Sequence, residues 1–252
     1  MSNYSYEKII ENVLSNEKYL KSDKRVYRLI LSNLTKGVIS VYGEHNVGKK
    51  LFIINMMENI FDYNKVKFLI VTDKASKEEM AIRVATTILG TNPFELKKRV
   101  GLDKAMNKMT MTEIIDIIEK NDDALGLVRE FAARSNSTHN IVFYDNAKSS
   151  ELVELKNLAD DLGIIIITTV LYPNEYDRPD YKNLQKIIDS SNVILNIRES
   201  YLDCNNECME VRIIKNMLKE QDNLKLVVNQ YRQRVYEPYE INKYGYDDEM
   251  PF

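Results

Sequence analysis

The chain has 252 residues, 44% hydrophobic and 29% charged, the make-up of a soluble globular protein long enough for one sizeable core. No apolar run reaches the roughly 18 residues needed to span a bilayer, and the start, MSNYSYEKIIENV, lacks the basic and then apolar stretch of a secretory signal. A cytoplasmic protein is expected. The net charge of −3 sits at the end of the chain, where residues 240–252 carry Glu240, Asp247, Asp248 and Glu249 against Lys243, so the preceding residues sum to zero. A neutral body can still carry a basic face, and the balance does not exclude nucleic acid.

Residues 5–34 read as helical, with apolar positions at Ile9, Ile10, Val13 and Leu14, then Val26, Leu29, Ile30 and Leu34. GVISVYG (37–43) is an apolar strand ending at a glycine turn, and LFIINMMENIF continues as a helix. KVKFLIVTD (65–73) is a second buried strand. A helix follows from Ser76 to Leu89, with Ser76 and Glu79 spaced as a capping box. Residues 93–135 read as short helices with polar joints. HNIVFYDN (139–146) is a strand, SSELVELKNLADDL a helix, and GIIIITTVL (163–171) a strand so apolar that both faces must be covered. NVILNIRES (192–200), CMEVRIIKN (208–216) and LKLVVNQ (224–230) are further strands.

Apolar strands alternating with helices predict an α/β fold, with a central, mostly parallel sheet flanked by helices on both faces. The last strands come without helices between them and predict an antiparallel C-terminal extension. The expected organisation is an N-terminal helical segment (1–34), a core (35–236) and a flexible acidic tail (237–252). Cys204 and Cys208 have no histidine nearby in sequence, so they read as thiols in a turn between strands rather than as a zinc site. Met56, Met57, Met106, Met109 and Met111 read as packing residues.

The segment GEHNVGKK, between a strand and a helix, has the spacing G-x-x-x-x-G-K of a phosphate-binding loop. Gly43 and Gly48 let backbone amides converge on phosphate, with Asn46 and His45 among the residues between them. Lys49 supplies charge for the outer phosphates, and the helix N-terminus adds its dipole. Asp145, ending the apolar strand IVFYD, suits the acid that orients magnesium. The next letter departs from the pattern. Lys50 stands where a serine or threonine would ligate the metal, and an ammonium only donates hydrogen bonds and repels a dication. It either neutralises phosphate in the metal's place or points into solvent.

In order and spacing, SVYGEHNVGKKLF, FLIVTDKASKEEMAIRV, LKNLADDLGIIIITTVL and VRIIKNMLKEQDNLKLVVNQYRQRVYE resemble the RecA-like ATPase domain of hexameric replicative helicases of the DnaB type, from about Gly37 to Tyr236. The resemblance implies where catalytic groups would fall. The water-polarising glutamate falls at Lys74, the sensor glutamine near Val170 or Leu171, and the arginine finger at Met217, with the neighbouring hairpin lysine kept as Lys215. Together with Lys50, these departures imply a relic pocket, not an enzyme, that neither hydrolyses ATP nor requires ATP or magnesium.

The end of the chain, YGYDDEMPF, resembles the C-terminal tip of bacterial single-stranded DNA-binding proteins. Asp247, Asp248 and Glu249 would face a basic rim, and Met250, Pro251 and Phe252 would place an aromatic anchor with a free carboxylate. Strand binding needs cations interleaved with aromatic platforms. The candidates are Tyr231, Arg232, Arg234, Tyr236 and Tyr239; Lys97, Lys98, Arg99, Lys104 and Lys108; and Lys21, Lys24, Arg25, Tyr27 and Arg28. The resulting expectation is a single-stranded DNA-binding protein of a phage or plasmid replication or recombination module, with self-association open and a tail that recruits replication proteins. Two alternatives stand beside it. One is an ATP-dependent DnaB-like helicase or recombinase with residual activity. The other is an inactive helicase adaptor or loader without DNA affinity.

Overall fold

The computed structural model describes residues 20, 22, 24–31, 34–43, 47–63, 66–90, 92, 94, 96, 115–135, 139–170, 181–201, 207–216, 222–229 and 234–238. Among them, strands β1 (Gly37–Gly43), β2 (Val66–Thr72), β3 (Ile115–Glu119), β4 (His139–Ala147), β5 (Ile165–Val170), β6 (Val193–Tyr201), β7 (Glu207–Lys215), β8 (Asp222–Asn229) and β9 (Arg234–Tyr236) form one sheet. The order across it is β3-β2-β4-β5-β1-β6-β7-β8-β9. From β3 to β6 every neighbouring pair is parallel, and from β6 to β9 every pair is antiparallel. The helices are α1 (Arg25–Leu31), α2 (Lys49–Tyr63), α3 (Lys77–Leu89), α4 (Ala124–Arg134), α5 (Glu151–Leu162) and α6 (Tyr181–Ser190). No helix among the described residues is long and apolar enough to cross a membrane.

The two-residue alternation of strand side chains sorts the core into two layers. Ile39 and Val41 of β1, Phe68 and Ile70 of β2, and Ile141 and Phe143 of β4 pack with Phe52, Ile53 and Met56 of α2 and Met80 and Val84 of α3. Tyr27 and Ile30 of α1 join the same layer. On the other face, Val38, Leu69, Val142, Tyr144 and Ile166 meet Val128 and Phe131 of α4, Leu152 and Leu155 of α5, and Ile187 of α6. Parallel strands joined by crossover helices are buried on both sides. This is why β1 and β5 read as unbroken apolar runs, and the expected α/β class with an antiparallel extension is what the chain adopts.

One segment differs from expectation. Within 93–135 the sequence predicts only short helices, yet IDIIE forms β3, paired in parallel with β2 from Phe68↔Ile115 to Thr72↔Glu119. Being at the sheet edge, β3 is only half buried, so its apolar residues never show the clean alternation that distinguishes strand from helix. The hydrogen bonds offered by the open edge of β2 decide its conformation. Helix α6 likewise carries no reading from sequence. Cys208 is a buried residue of β7 rather than part of a turn. Cys204 lies outside the described residues, as do most of the expected N-terminal helix and the acidic tail from residue 239 onward.

The capping box at α3 is present. The Ser76 hydroxyl accepts from the Glu79 amide, and the Glu79 carboxylate accepts from the Ser76 amide. Ser76→Ala removes the first of these bonds and is expected to lower stability by about 1 kcal/mol, measured by urea denaturation. No loss would mean that the Glu79 bond alone holds this helix end.

Candidate functional site

The carboxyl ends of β1, β2, β4 and β5 lie side by side in the sheet, and the polar side chains of an otherwise apolar core gather there. In α/β sheets this is where ligands bind. β1 ends at Gly43, where a Cβ would come within 2.1 Å of the Ile197 carbonyl oxygen on β6, so only glycine fits this register. Gly48, with φ +81°, turns the chain into α2. Its carbonyl accepts the first helical bond, from the Phe52 amide at 2.9 Å. The amides of Lys49, Lys50 and Leu51 precede that bond and have no acceptor within the helix, which makes them donors for an anion. Lys49 reaches back, its ammonium donating to the Gly43 carbonyl at 2.7 Å. It thereby spans the mouth of the loop. Asn46 and His45 lie outside the described residues.

Opposite the loop, β4 carries an irregularity between Tyr144 and Ala147 in its pairing with β5, and Asn146 there takes a left-handed φ of 52°. A bulge of this kind re-aims the side chains beside it. Asp145 is fully buried, and both of its oxygens are engaged. Oδ1 accepts from the Thr169 hydroxyl at 2.8 Å, while Oδ2 receives the Asp73 amide at 3.4 Å and the Lys50 ammonium at 2.6 Å. Of the two readings left open for Lys50, the one that sends it into solvent is therefore incorrect. Its side chain is three-quarters buried against a carboxylate. The Asn146 amide donates to Thr169 Oγ1 at 2.7 Å, and its side-chain NH2 donates to Asp73 Oδ2 at 3.0 Å.

A second polar cluster holds the bulge from behind. Lys120, just past β3, lies 3.0 Å from Glu151 Oε2 and 4.6 Å from the Tyr144 ring centroid, and donates to the Asn146 carbonyl at 3.3 Å. Glu151 also accepts from the Tyr144 hydroxyl at 3.3 Å. Burial first, and the Glu151 charge second, push the Tyr144 phenol well above its ordinary pKa, so it remains a neutral donor.

The magnesium ion that phosphate loops ordinarily hold does not fit these residues. That ion takes near-octahedral oxygen ligands, among them the loop hydroxyl and an oxygen of the strand acid. Here the hydroxyl is replaced by an ammonium that sits on the acid itself, and the acid's other oxygen holds Thr169.

Two members of the site went unread in the sequence. Thr169 is one of two hydroxyl residues ending the apolar run GIIIITTVL, a polar interruption that was the available signal. Asp73 stands beside Lys74, where the catalytic glutamate is expected. Counting positions misses it by one residue, yet its carboxylate is bound to Asn146 at the site's rim. Val170 is buried in β5.

The remaining candidates are scattered. Arg234 pairs with Glu58 of α2 and donates to the Ile88 carbonyl at the end of α3. Tyr236 lies beneath the Lys24 ammonium, 5.8 Å from its ring centroid, and Arg25 pairs with Asp222. Tyr27 is in the core against Phe52, so it offers no stacking platform. Lys215 turns inward, donating to the Ile188 carbonyl at 2.8 Å and to that of Ser191, and burial lowers its pKa from the usual lysine value. Arg28 lies on α1. Lys21, Lys97, Lys98, Arg99, Lys104, Lys108, Leu171, Met217, Tyr231, Arg232, Tyr239 and Asp247, Asp248, Glu249, Met250, Pro251 and Phe252 lie outside the described residues.

The strand–loop–helix geometry and the acid on β4 define a phosphate-loop α/β core. No family model matches the chain, and no curated protein does. Solved structures do. The chain is similar to a solved helicase-type ATPase domain, with a TM-score of 0.68 at 14% identity over 94% of this chain and 99% of that one. It is also similar to a structure of a DnaB-like replicative helicase and its interactions with primase, with a TM-score of 0.68 at 17% identity over 91% of this chain. The chain spans 64% of that helicase's length. The fold is RecA-like, of the kind found in DnaB-type helicases. Both neighbours are helicase-type proteins, and one is an ATPase domain by description. This overturns the expectations of an inactive single-stranded DNA-binding protein and of a non-enzyme. Those expectations relied on absent letters, whereas the likeness runs through nearly the whole chain.

Proposed function

We propose that the chain is a nucleoside-triphosphate-dependent motor domain of the DnaB-like helicase or recombinase kind, acting on a DNA strand. The observation that carries this reading is the meeting of Lys49, the first amides of α2, buried Asp145 and rim carboxylate Asp73 at the carboxyl edge of a RecA-like sheet. In this reading Lys49 leaves the Gly43 carbonyl for the outer phosphates, and the α2 amides cradle them. Asp73, held by Asn146, orients the attacking water. Positioning and electrostatic stabilisation, which carry most of phosphoryl-transfer catalysis, are then supplied by groups already in place. The acidic tip ending in Phe252 enters as a docking segment for other replication proteins.

The test is release of phosphate from ATP with and without single-stranded DNA. Stimulation by DNA is expected, with a loss of about a hundredfold or more in Lys49→Ala. Turnover that is absent under both conditions, or unchanged in Lys49→Ala, overturns the proposal.

A further inference from the structure

The position on Asp145 that a divalent ion would take is held by a side chain of the protein. The Lys50 ammonium is 2.6 Å from Oδ2, and the carboxylate has no exposure to water through which a second cation could be shared. Oδ1 is committed to the Thr169 hydroxyl, which is itself fixed by the Asn146 amide. Magnesium would require an oxygen ligand at about 2.1 Å, closer than the ammonium now sits, and would have to displace it. Displacement is opposed twice. Two cations on one buried oxygen repel each other, and residue 50 offers no lone pair to the ion that evicts it.

Resting on the nucleotide reading above, we propose that Lys50 is the resident cation of this site, so that nucleoside triphosphate is bound in its metal-free form. Lys49 and Lys50 are consecutive in the first turn of α2, next to its amides. A triphosphate that is not chelated brings more negative charge to this group of donors than its magnesium complex does. The fixed ammonium balances that charge beside the acid, as the ion does elsewhere. Magnesium in solution then withdraws the preferred ligand instead of assisting it.

The experiment is a titration of the full chain with ATP carrying a fluorescent ribose label, in excess EDTA and in excess magnesium, for the wild-type protein and for Lys50→Thr. Wild-type binding is expected to be at least as tight in EDTA as in magnesium. Lys50→Thr restores the hydroxyl, and its binding is expected to be about tenfold tighter in magnesium than in EDTA. Wild-type binding about tenfold tighter in magnesium overturns this inference and leaves the motor reading in place. No binding under either condition overturns both. The wild-type comparison stands by itself if Lys50→Thr folds poorly.

Discussion

Lys50→Met is expected to lower the free energy of unfolding by about 3 kcal/mol, because it leaves the Asp145 carboxylate charged, buried and without its cation. Two hydrogen bonds remain to that carboxylate, from the Thr169 hydroxyl and, at 3.4 Å, from the Asp73 amide. They keep the cost toward the lower end of what unpairing a buried charge entails. The methionine keeps the length of the aliphatic stem, so little of the effect comes from lost packing. For a chain of this size the loss corresponds to a fall in Tm of roughly 9 °C. The control is Lys50→Met combined with Asp145→Asn. Removing the stranded charge should recover most of the loss, and a double-mutant cycle of thermal or urea unfolding measures the coupling. A single variant as stable as wild type would mean that the pair contributes nothing, and the metal-free reading of the site would lose its physical basis.

The second large effect is expected at Gly43. An alanine Cβ would stand 2.1 Å from the Ile197 carbonyl oxygen, where no side-chain rotation relieves the clash because the contacted atom is backbone in a paired strand. Either β1 and β6 separate at their carboxyl ends or the loop after β1 shifts. The cost is about 3 kcal/mol, the upper range of overpacking in a well-packed interior. The shift also moves the acceptor that Lys49 uses at rest, the Gly43 carbonyl. Gly43→Ala should therefore lose triphosphate affinity by about tenfold or more in addition to its loss of stability. Equilibrium unfolding and nucleotide titration of the same preparation separate the two. A stable Gly43→Ala protein with full affinity would mean that the strand pair yields where the geometry says it does not.

Much of this architecture was legible before any coordinates. β1 spans the residues GVISVYG read as a strand, and the loop glycines, Lys49 and Asp145 fall in the expected strand and helix contexts. The reading held there because burial on both faces leaves a continuous apolar run, and because a phosphate loop demands particular residues at set spacing. It failed at β3, where half-burial at an edge blurs the pattern. It failed again on activity. A position-by-position transfer placed the base at Lys74 and found none, while the fold brings the carboxylate of Asp73 to Asn146 instead. A shift of one residue at a strand end is invisible to such a count, since no local rule states where the backbone leaves the sheet.

The amino-acid order alone determined the layers: which strands are buried on both faces, where helices start, and that a glycine loop with a lysine precedes α2. These are short-range properties, set by periodicity and by the few residue types a turn accepts. Only the tertiary structure decided the state of the site. Lys50 and Asp145 are 95 positions apart in the sequence, and nothing in either neighbourhood specifies that they meet. Their contact exists because β4 and β1 lie on either side of β5 in one sheet, which brings the bulge at Asn146 opposite the first turn of α2. Charge pairing in a buried pocket depends on distance through space, and that distance is a product of the whole fold.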